Sequence, residues 1–444
     1  MSDLQIGIAA IVAMIILIQT GMHVAVVLML VSFVSVWMLK DNANIAGRLV
    51  AQASESAIAQ YNFGVIPLFV VMGLLVSASG MGRDTFDVAA QSFRRVRGGL
   101  GMATVSANAI FAAVNGSTIA SASVFTKIAV PELLRLGYSP RFSVGVVAGS
   151  SILGMLIPPS LLLIVFGIIA EVSIGHLFTA GILPGLILAV ALCATVYLLM
   201  RFWPSFTSAN AQITRDLSGE LELDSLGTML MKVLPIVGLI VVVMGGIYGG
   251  VFTPVEAGGV GALGALVISL LKRRLTGRMF WGVLVETGYV AGSISFLIIA
   301  AHLYANMLAL SGLPTILGEW LQSSDLSFTG ILIIYLIAII LLGTILDAAS
   351  NILIMVPLAV PIMLSFNVDL VWFGIVTIIA VEIGLLTPPL GMACFVIKTN
   401  LDDKRITLND IFLGAAPFAF TMVLVLILIT AVPEISLVLV RLLN

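Results

Sequence analysis

The chain has 444 residues, of which 60% are hydrophobic and only 9% are charged, and its formal net charge is −2. Soluble globular domains carry about a quarter charged residues, so this composition excludes a water-soluble fold and makes lipid the solvent for most of the chain. The two basic clusters, residues 94–97 and 272–278, are short and flanked by apolar segments, which argues against a nucleic-acid partner.

Long charge-free runs follow one another along the chain, and each can span a bilayer as a helix or enter and return as a hairpin. These runs are residues 4–39, 56–82, 98–126, 142–170, 172–200, 233–255, 287–318, 326–346, 348–368 and 411–432. The first lacks the features of a cleaved signal peptide, which indicates a retained membrane segment. The alternation typical of an outer-membrane barrel is absent. We therefore expect an all-α polytopic membrane protein, with both basic clusters in the cytoplasm.

The most polar internal stretch, residues 202–224, divides the chain. We predict a first half (1–203), a polar connector (204–231) and a second half (232–444). Each half is expected to contain scaffold helices, a hairpin and a broken helix.

A sequence repeat supports this division. Residues 154–159 read GMLIPP and residues 384–389 read GLLTPP, and at the same offset of 230 residues the triplet AVP recurs at 129–131 and 359–361. Two separate blocks in one register indicate a duplication. Parallel and inverted repeats both remain open, because inversion requires an odd number of intervening spans.

In each half, a small and polar interruption precedes the Pro-Pro segment. The first interruption is Asn115, Gly116, Ser117 and Thr118, and the second is Asp347, Ala348, Ala349, Ser350 and Asn351. Paired interruptions at corresponding places in two halves are the best sequence indication of a transporter binding site. The competing interpretation is that small and polar residues only pack helices closely.

The Pro-Pro pairs interrupt helical hydrogen bonding, because proline lacks an N–H group. The carbonyl groups expected to be freed are those of Gly154, Met155, Gly384 and Leu385. Free carbonyls at membrane depth need a partner or a wet cavity, and a bound Na⁺ would satisfy them. A plain proline kink is the alternative.

The interruptions supply hydroxyl and amide oxygens, and they expose helix ends that favour anions or cations. We predict that substrate binds at Asn115, Gly116, Thr118, Ser350 and Asn351. The predicted Na⁺ ligands are Ser117, Gly154, Pro158, Asp347, Gly384, Thr387 and Pro388.

Asp347 stands between two charge-free runs, so it is expected to bind Na⁺ or balance its charge, with proton carriage as the competing role. Glu382 and Lys127 are possible accessory site residues. The alternative for Glu382 is a structural hydrogen-bonding role, and the alternative for Lys127 is that its ammonium group snorkels to the membrane interface. Glu256 is expected to cap a helix start.

Nothing in the sequence resembles an enzyme. His23, His176 and His302 are isolated, and Cys193 and Cys394 lie in apolar runs where packing explains them. No phosphate-binding loop is present, so transport is expected to depend on an ion gradient, with Na⁺ as the coupling ion and no organic cofactor.

At this level of detail the chain resembles a known family, the large membrane subunit of tripartite ATP-independent periplasmic (TRAP) transporters. The motifs that carry the resemblance are VPEL (130–133), RLGY (135–138), VSIG (172–175), AGILPG (180–185), FTPVEAG (252–258), LDA (346–348) and GLLTPPLG (384–391). They cover nearly the whole chain. Asn115 stands where the family commonly has serine.

The resemblance implies two inverted repeats, each with a re-entrant helical hairpin and a broken helix, in a Na⁺-driven elevator for organic acids. It also implies a multi-pass protein of the bacterial inner membrane, paired with a small four-helix membrane subunit and a periplasmic binding protein. A self-sufficient anion or Na⁺/H⁺ exchanger of the same superfamily is one alternative, and a non-transporting membrane scaffold is another. An ion channel is a weaker option, because the polar groups cluster at two breaks.

Overall fold

The computed structural model describes residues 2–207, 224–323 and 326–443, and every regular element in these ranges is a helix. Helices are the expected solution in lipid, because they satisfy the backbone polar groups within one segment. Ser, Thr or Asp side chains cap many of the helix starts. Glu256 and Thr253 form a capping box, which confirms the role predicted for Glu256. The all-α fold class is also confirmed.

The first twelve helices run in chain order through the first half, and the last of them lies within the range predicted for the connector. They are α1 (Asp3–Gln19), α2 (Val24–Lys40), α3 (Ala43–Ala59), α4 (Val65–Ala78), α5 (Met81–Phe93), α6 (Gly99–Asn115), α7 (Thr118–Arg135), α8 (Pro140–Ser151), α9 (Leu153–Leu156), α10 (Leu161–Ile169), α11 (Ile174–Phe202) and α12 (Pro204–Thr207). A 3-10 turn, Tyr61–Gly64, precedes α4. We call α6 with α7 hairpin 1, and α8 to α10 broken helix 1.

The second half contains ten helices in its described part. They are α13 (Leu226–Tyr248), α14 (Pro254–Leu271), α15 (Gly277–Ser311), α16 (Leu313–Ser323), α17 (Phe328–Gly343), α18 (Ala348–Ser365), α19 (Leu370–Leu386), α20 (Met392–Asn400), α21 (Leu408–Ala431) and α22 (Glu434–Leu443). We call α17 with α18 hairpin 2, and α19 with α20 broken helix 2. Helix α13 begins inside the range predicted for the connector, and residues 208–223 of that connector lie outside the described residues.

The helix bounds repeat with the same offset of 230 residues as the sequence. Helices α7 and α18 coincide at both ends, α8 and α19 begin at equivalent positions, and α9 and α19 end at equivalent positions. The largest difference is that α3, the 3-10 turn and α4 correspond to the single long helix α15. Each half therefore contains a hairpin followed by a helix broken at its Pro-Pro pair.

The number of membrane spans between the two hairpins decides whether the repeats are parallel or inverted. Five elements of the described chain between them are long and apolar enough to cross a membrane. They are the bent pair Pro140–Leu156 and Leu161–Ile169, followed by α11, α13, α14 and α15. Because this number is odd, the second hairpin enters from the side opposite to the first, and the repeats are inverted.

The two halves interlock through their hairpins. Helix α7 packs against α20, and α10 packs against α18, so each hairpin contacts the broken helix of the other repeat. Ser123 Oγ on α7 donates to Asn400 Oδ1 on α20 at 3.0 Å. Helices α2 and α4 pack against α15 and α14, and we call these four helices the scaffold wall; within it, α4 contacts α6 of hairpin 1 and α15 contacts α18 of hairpin 2.

Both basic clusters lie on one side of the molecule. Lys272 forms an ion pair with Asp84 near the start of α5, and Arg274 donates to the Ser79 carbonyl at 3.3 Å. The 94–97 cluster follows the end of α5, and α5 is not among the candidate membrane spans. The amphipathic helix α5 therefore connects the two clusters.

We expect the contact between α8 and α21 to require glycine. A Cβ on Gly145 would lie 2.1 Å from the Gly414 carbonyl oxygen, whereas a Cβ on Gly238 of α13 would meet nothing within 4 Å. Gly145→Val should therefore destabilise the protein by about 1–3 kcal/mol or more through overpacking, and Gly238→Val should not. Thermal unfolding of the two purified variants in one detergent checks this. Equal Tm values would show that the contact tolerates a side chain.

Candidate functional site

The two hairpin tips meet at one cavity of about 770 Å³. Tip 1 is residues 115–118 and tip 2 is residues 344–351. Asn115 and Ser117 line the cavity from tip 1, and Asp347 and Ser350 line it from tip 2. These four are the predicted site residues that the fold brings together around one space.

Each tip presents the start of a helix to the cavity. Ser117 caps α7 and its Oγ accepts from Ala120 N–H at 3.4 Å. Asp347, at the equivalent position of the repeat, caps α18 and accepts from Ser350 N–H at 3.1 Å, and it also receives a short hydrogen bond from the Ser350 hydroxyl. Helix starts carry partial positive charge, so both tips present groups that favour anions. At tip 2 the Asp347 carboxylate already occupies this position.

Each broken helix is hydrogen-bonded to its own hairpin tip. In the first repeat, Leu161 N–H donates to the Gly116 carbonyl at 3.2 Å; in the second, Leu390 and Gly391 N–H groups donate to the Thr344 carbonyl at 3.1 and 3.3 Å. The second segment of each broken helix thus begins beside a tip. Leu161 and Met392, near the starts of α10 and α20, also line the cavity.

Two of the four carbonyl groups that the sequence predicts to be freed already have partners. The Ser160 hydroxyl, just beyond the first Pro-Pro pair, donates to the Met155 carbonyl. Thr387 N–H donates to the Gly384 carbonyl at 3.0 Å. The expectation that both carbonyls lack a protein partner was therefore wrong, because the residues beside each break fold back onto the preceding turn. Each oxygen keeps a second lone pair.

Gly154 and Gly384 allow close contacts around the breaks. A Cβ on Gly154 would lie 2.8 Å from the carbonyl carbon and oxygen of Ser117, and a Cβ on Gly384 would lie 2.7 Å from Gly343 Cα. Gly73 of α4 is equally restricted, since a Cβ there would lie 2.7 Å from the Asn115 carbonyl oxygen. Gly73 and Gly154 thus allow the scaffold wall and broken helix 1 to contact tip 1, and Gly384 allows broken helix 2 to contact hairpin 2.

The remaining predicted residues lie away from the cavity surface. They are Gly116, Thr118, Lys127, Gly154, Pro158, Asn351, Glu382, Gly384, Thr387 and Pro388. Pro158 is buried, Pro388 is exposed, and Lys127 is exposed one turn beyond Ser123 on α7. Thr118 and Asn351 are fully buried behind the tips. Thr387 Oγ1 donates to the Ile383 carbonyl at 2.7 Å.

The wall opposite the tips contains polar residues that sequence reasoning missed. Glu286, Tyr289 and Ser293 of α15 line the cavity, together with His23 at the start of α2. Their spacing of three and four residues puts the α15 residues on one helix face, and this polar stripe in an apolar helix was the signal that could have revealed them. His23, which the sequence shows only as an isolated histidine, borders the cavity.

The cavity carries more acidic than basic side chains. Among the described lining residues, Glu286 and Asp347 are acidic and none is lysine or arginine, while most of the others are apolar. An anion entering this cavity would therefore have to be bound by helix starts, hydroxyl groups, amides or His23, or by a cation that arrives with it.

Cysteine labelling tests whether the tips face this cavity. Ala120 lines the cavity, whereas Ala122 on the same helix is fully buried. In a background with Cys193 and Cys394 replaced by alanine, Ala120→Cys should react with a water-soluble maleimide and Ala122→Cys should not. Equal labelling of both would mean that α7 does not present this face to water.

Comparisons with known proteins point to one family. The family model described as the tripartite ATP-independent periplasmic transporter, DctM component, matches residues 11–435. The C4-dicarboxylate TRAP transporter large permease protein DctM of Rhodobacter capsulatus is 32% identical over 410 residues, covering 89% of this chain and 90% of that protein. The sialic acid TRAP transporter large permease protein SiaM of Vibrio cholerae is 30% identical over 391 residues, covering 88% of each.

The DctM protein of Pseudomonas aeruginosa is 31% identical over 380 residues, covering 85% of this chain and 86% of that protein. Among solved structures, the YdaH transporter of Alcanivorax borkumensis matches with a TM-score of 0.53 and 15% identity over 85% of each chain, which supports the fold alone. The chain belongs to the DctM component family of the tripartite ATP-independent periplasmic transporters.

Proposed function

We propose that this chain is the large membrane subunit of a Na⁺-coupled importer of an organic acid anion. The observation that carries the proposal is the meeting of two inverted hairpin tips, one of them bearing the intramembrane acid Asp347, at a single cavity. Relatives named for C4-dicarboxylate and sialic acid transport support the substrate class.

The substrate carboxylate would bind between the tips. Asn115 offers an amide group there, and the start of α7 contributes N–H groups and partial positive charge. The Ser350 hydroxyl, which donates to Asp347 in this structure, would turn to the substrate. Gly116, Thr118 and Asn351, which the sequence predicts to bind substrate, lie behind this surface, and we propose that they shape the tips. Asn351 Nδ2 donates to the Ile339 carbonyl at 2.9 Å, which connects the two helices of hairpin 2.

The coupling ion follows from charge. A carboxylate entering an apolar cavity beside Asp347 is repelled unless a cation neutralises one of them; at an effective dielectric constant of 20, two unit charges 4 Å apart interact by about 4 kcal/mol. We assign Na⁺ to the two tip–break junctions, near Ser117 and Gly154 with Pro158, and near Asp347 and Gly384 with Thr387 and Pro388. Asn351 Oδ1, buried and without a hydrogen-bond partner among the described residues, is a further oxygen at the second junction.

The proposed cycle is an elevator. The hairpins and broken helices would move as one body against the wall of α2, α4, α14 and α15. Inward movement of Na⁺ supplies roughly 2.3 kcal/mol per charge per 100 mV. In the bacterial inner membrane, a periplasmic binding protein would deliver the acid, and a small four-helix membrane subunit would accompany the scaffold, as the word tripartite in the family's description suggests.

Asp347→Ala should abolish Na⁺-dependent uptake while leaving expression intact, because it removes the carboxylate at tip 2. The measurement is uptake of radiolabelled C4-dicarboxylate and sialic acid into proteoliposomes that contain the large and small subunits, with binding protein outside and an inward Na⁺ gradient. Glu319→Ala, an exposed acid on α16, is the control and should transport normally.

Unchanged sodium dependence in Asp347→Ala would contradict the proposal. Uptake by the large subunit alone, without binding protein or small subunit, would favour a self-sufficient anion or Na⁺/H⁺ exchanger. The absence of flux for any acid across a broad panel would favour a non-transporting scaffold.

A further inference from the structure

Glu382 lies at the junction between the two repeats. It belongs to α19 of broken helix 2 and is 1% exposed. Its Oε2 accepts a hydrogen bond from the Thr118 hydroxyl of tip 1 at 2.9 Å. Its Oε1 is buried and has no hydrogen-bond partner among the described residues.

A carboxylate in this setting needs a positive charge nearby. Burying an ionised carboxylate with one neutral donor is very costly, and such groups are normally paired with a cation or bind a metal ion. Among the described residues, none of the ion pairs of the protein includes Glu382. The charge must therefore come from a bound cation, or the side chain must be neutral.

The neighbouring groups suit a hard cation. Gly154 of broken helix 1 approaches tip 1 so closely that a Cβ there would lie 2.8 Å from the Ser117 carbonyl oxygen and 3.1 Å from Thr118 N. Hairpin 1, broken helix 1 and broken helix 2 thus contact one another around Thr118. They bring a hydroxyl, backbone carbonyls and a carboxylate together, and hard cations prefer oxygen ligands of these kinds.

The repeat explains why the acid comes from the other half. Positions 117 and 347 are equivalent, and both cap a helix at a tip, but the first is serine and the second is aspartate. Tip 1 therefore has no carboxylate of its own at this position. Position 152, which corresponds to Glu382, is isoleucine, so neither acid is duplicated.

We infer that Glu382 supplies to a Na⁺ ion at tip 1 the negative charge that Asp347 supplies at tip 2. The inference rests on the proposed function and adds a ligand from the opposite repeat. It follows that a cation at tip 1 joins the two halves directly, so that its binding orders hairpin 1 against broken helix 2.

The test measures Na⁺ alone, so it needs no knowledge of the substrate. Purified full-length protein is titrated with NaCl, with choline chloride at equal ionic strength as the reference, and Tm is followed. Glu382→Gln keeps the shape and removes the charge. It should lower the apparent Na⁺ affinity by at least about tenfold and reduce the cooperativity of the Tm shift. Glu319→Gln, on the exposed surface of α16, should behave as wild type.

The outcomes separate the inference from the proposed function. A wild-type protein with no Na⁺-specific Tm shift would contradict Na⁺ coupling itself. A wild-type shift that Glu382→Gln reproduces in midpoint and cooperativity would overturn only the inference, since glutamine would then imitate a neutral, structural glutamic acid.

A second variant covers the case in which Glu382→Gln does not fold. Glu382→Asp keeps the negative charge on a side chain that is shorter by one methylene group. The inference expects a weaker Na⁺ response in this variant, with the midpoint moved to higher concentration. A lower Tm with an unchanged Na⁺ midpoint would assign Glu382 a structural role alone.

Discussion

The constraint on which the rest of this structure depends is that a backbone interrupted at membrane depth must find its hydrogen-bond partners inside the protein. Each repeat satisfies this constraint by placing a hairpin tip beside a Pro-Pro break. The N–H groups that follow each Pro-Pro pair donate to carbonyls of the adjacent hairpin tip, at Gly116 in one repeat and at Thr344 in the other. A single break would leave backbone N–H and C=O groups without partners. A tip and a break side by side provide some of each other's hydrogen bonds. The cavity lies where it does because the tips must lie beside the breaks.

The two repeats share a backbone plan and differ in chemistry. Both tips place a capping side chain at the start of the returning helix, yet serine at 117 is uncharged and aspartate at 347 carries a charge. Among the cavity-lining equivalents further along these two helices, position 120 is alanine and position 350 is serine. Duplication therefore repeats the positions of the tips and breaks, while individual substitutions decide the polarity and charge at each position. Two acids at equivalent tip positions would face each other across one apolar cavity and raise the free energy of both.

Much of the fold could be predicted from the sequence because the features that define it are a repeated pattern and residue types, such as proline, that interrupt a helix. The offset of 230 residues, the Pro-Pro breaks and the polar tips all appear in the printed chain, and the helix bounds follow them closely. The contacts within the site were harder to predict from the sequence. Ser160 and Thr387 engage carbonyls that the proline pattern suggested were free, since local refolding around a break depends on three-dimensional geometry. Glu286 borders the cavity because α15 packs against hairpin 2; the polar stripe marks this helix face but does not identify the element that the face meets.

Close packing and ion binding are not alternatives at these breaks. Gly154 was expected to matter for its carbonyl, and its missing side chain is what brings broken helix 1 within contact of Ser117. Gly384 does the same for broken helix 2 and Gly343. Oxygen atoms from separate elements reach one small ion only when their backbones approach this closely. A larger residue at either position would separate the ligands before it changed their chemistry. The glycine is thus first a packing requirement, and the cation sites proposed above depend on it, with the acids at 347 and 382 as their proposed charged ligands.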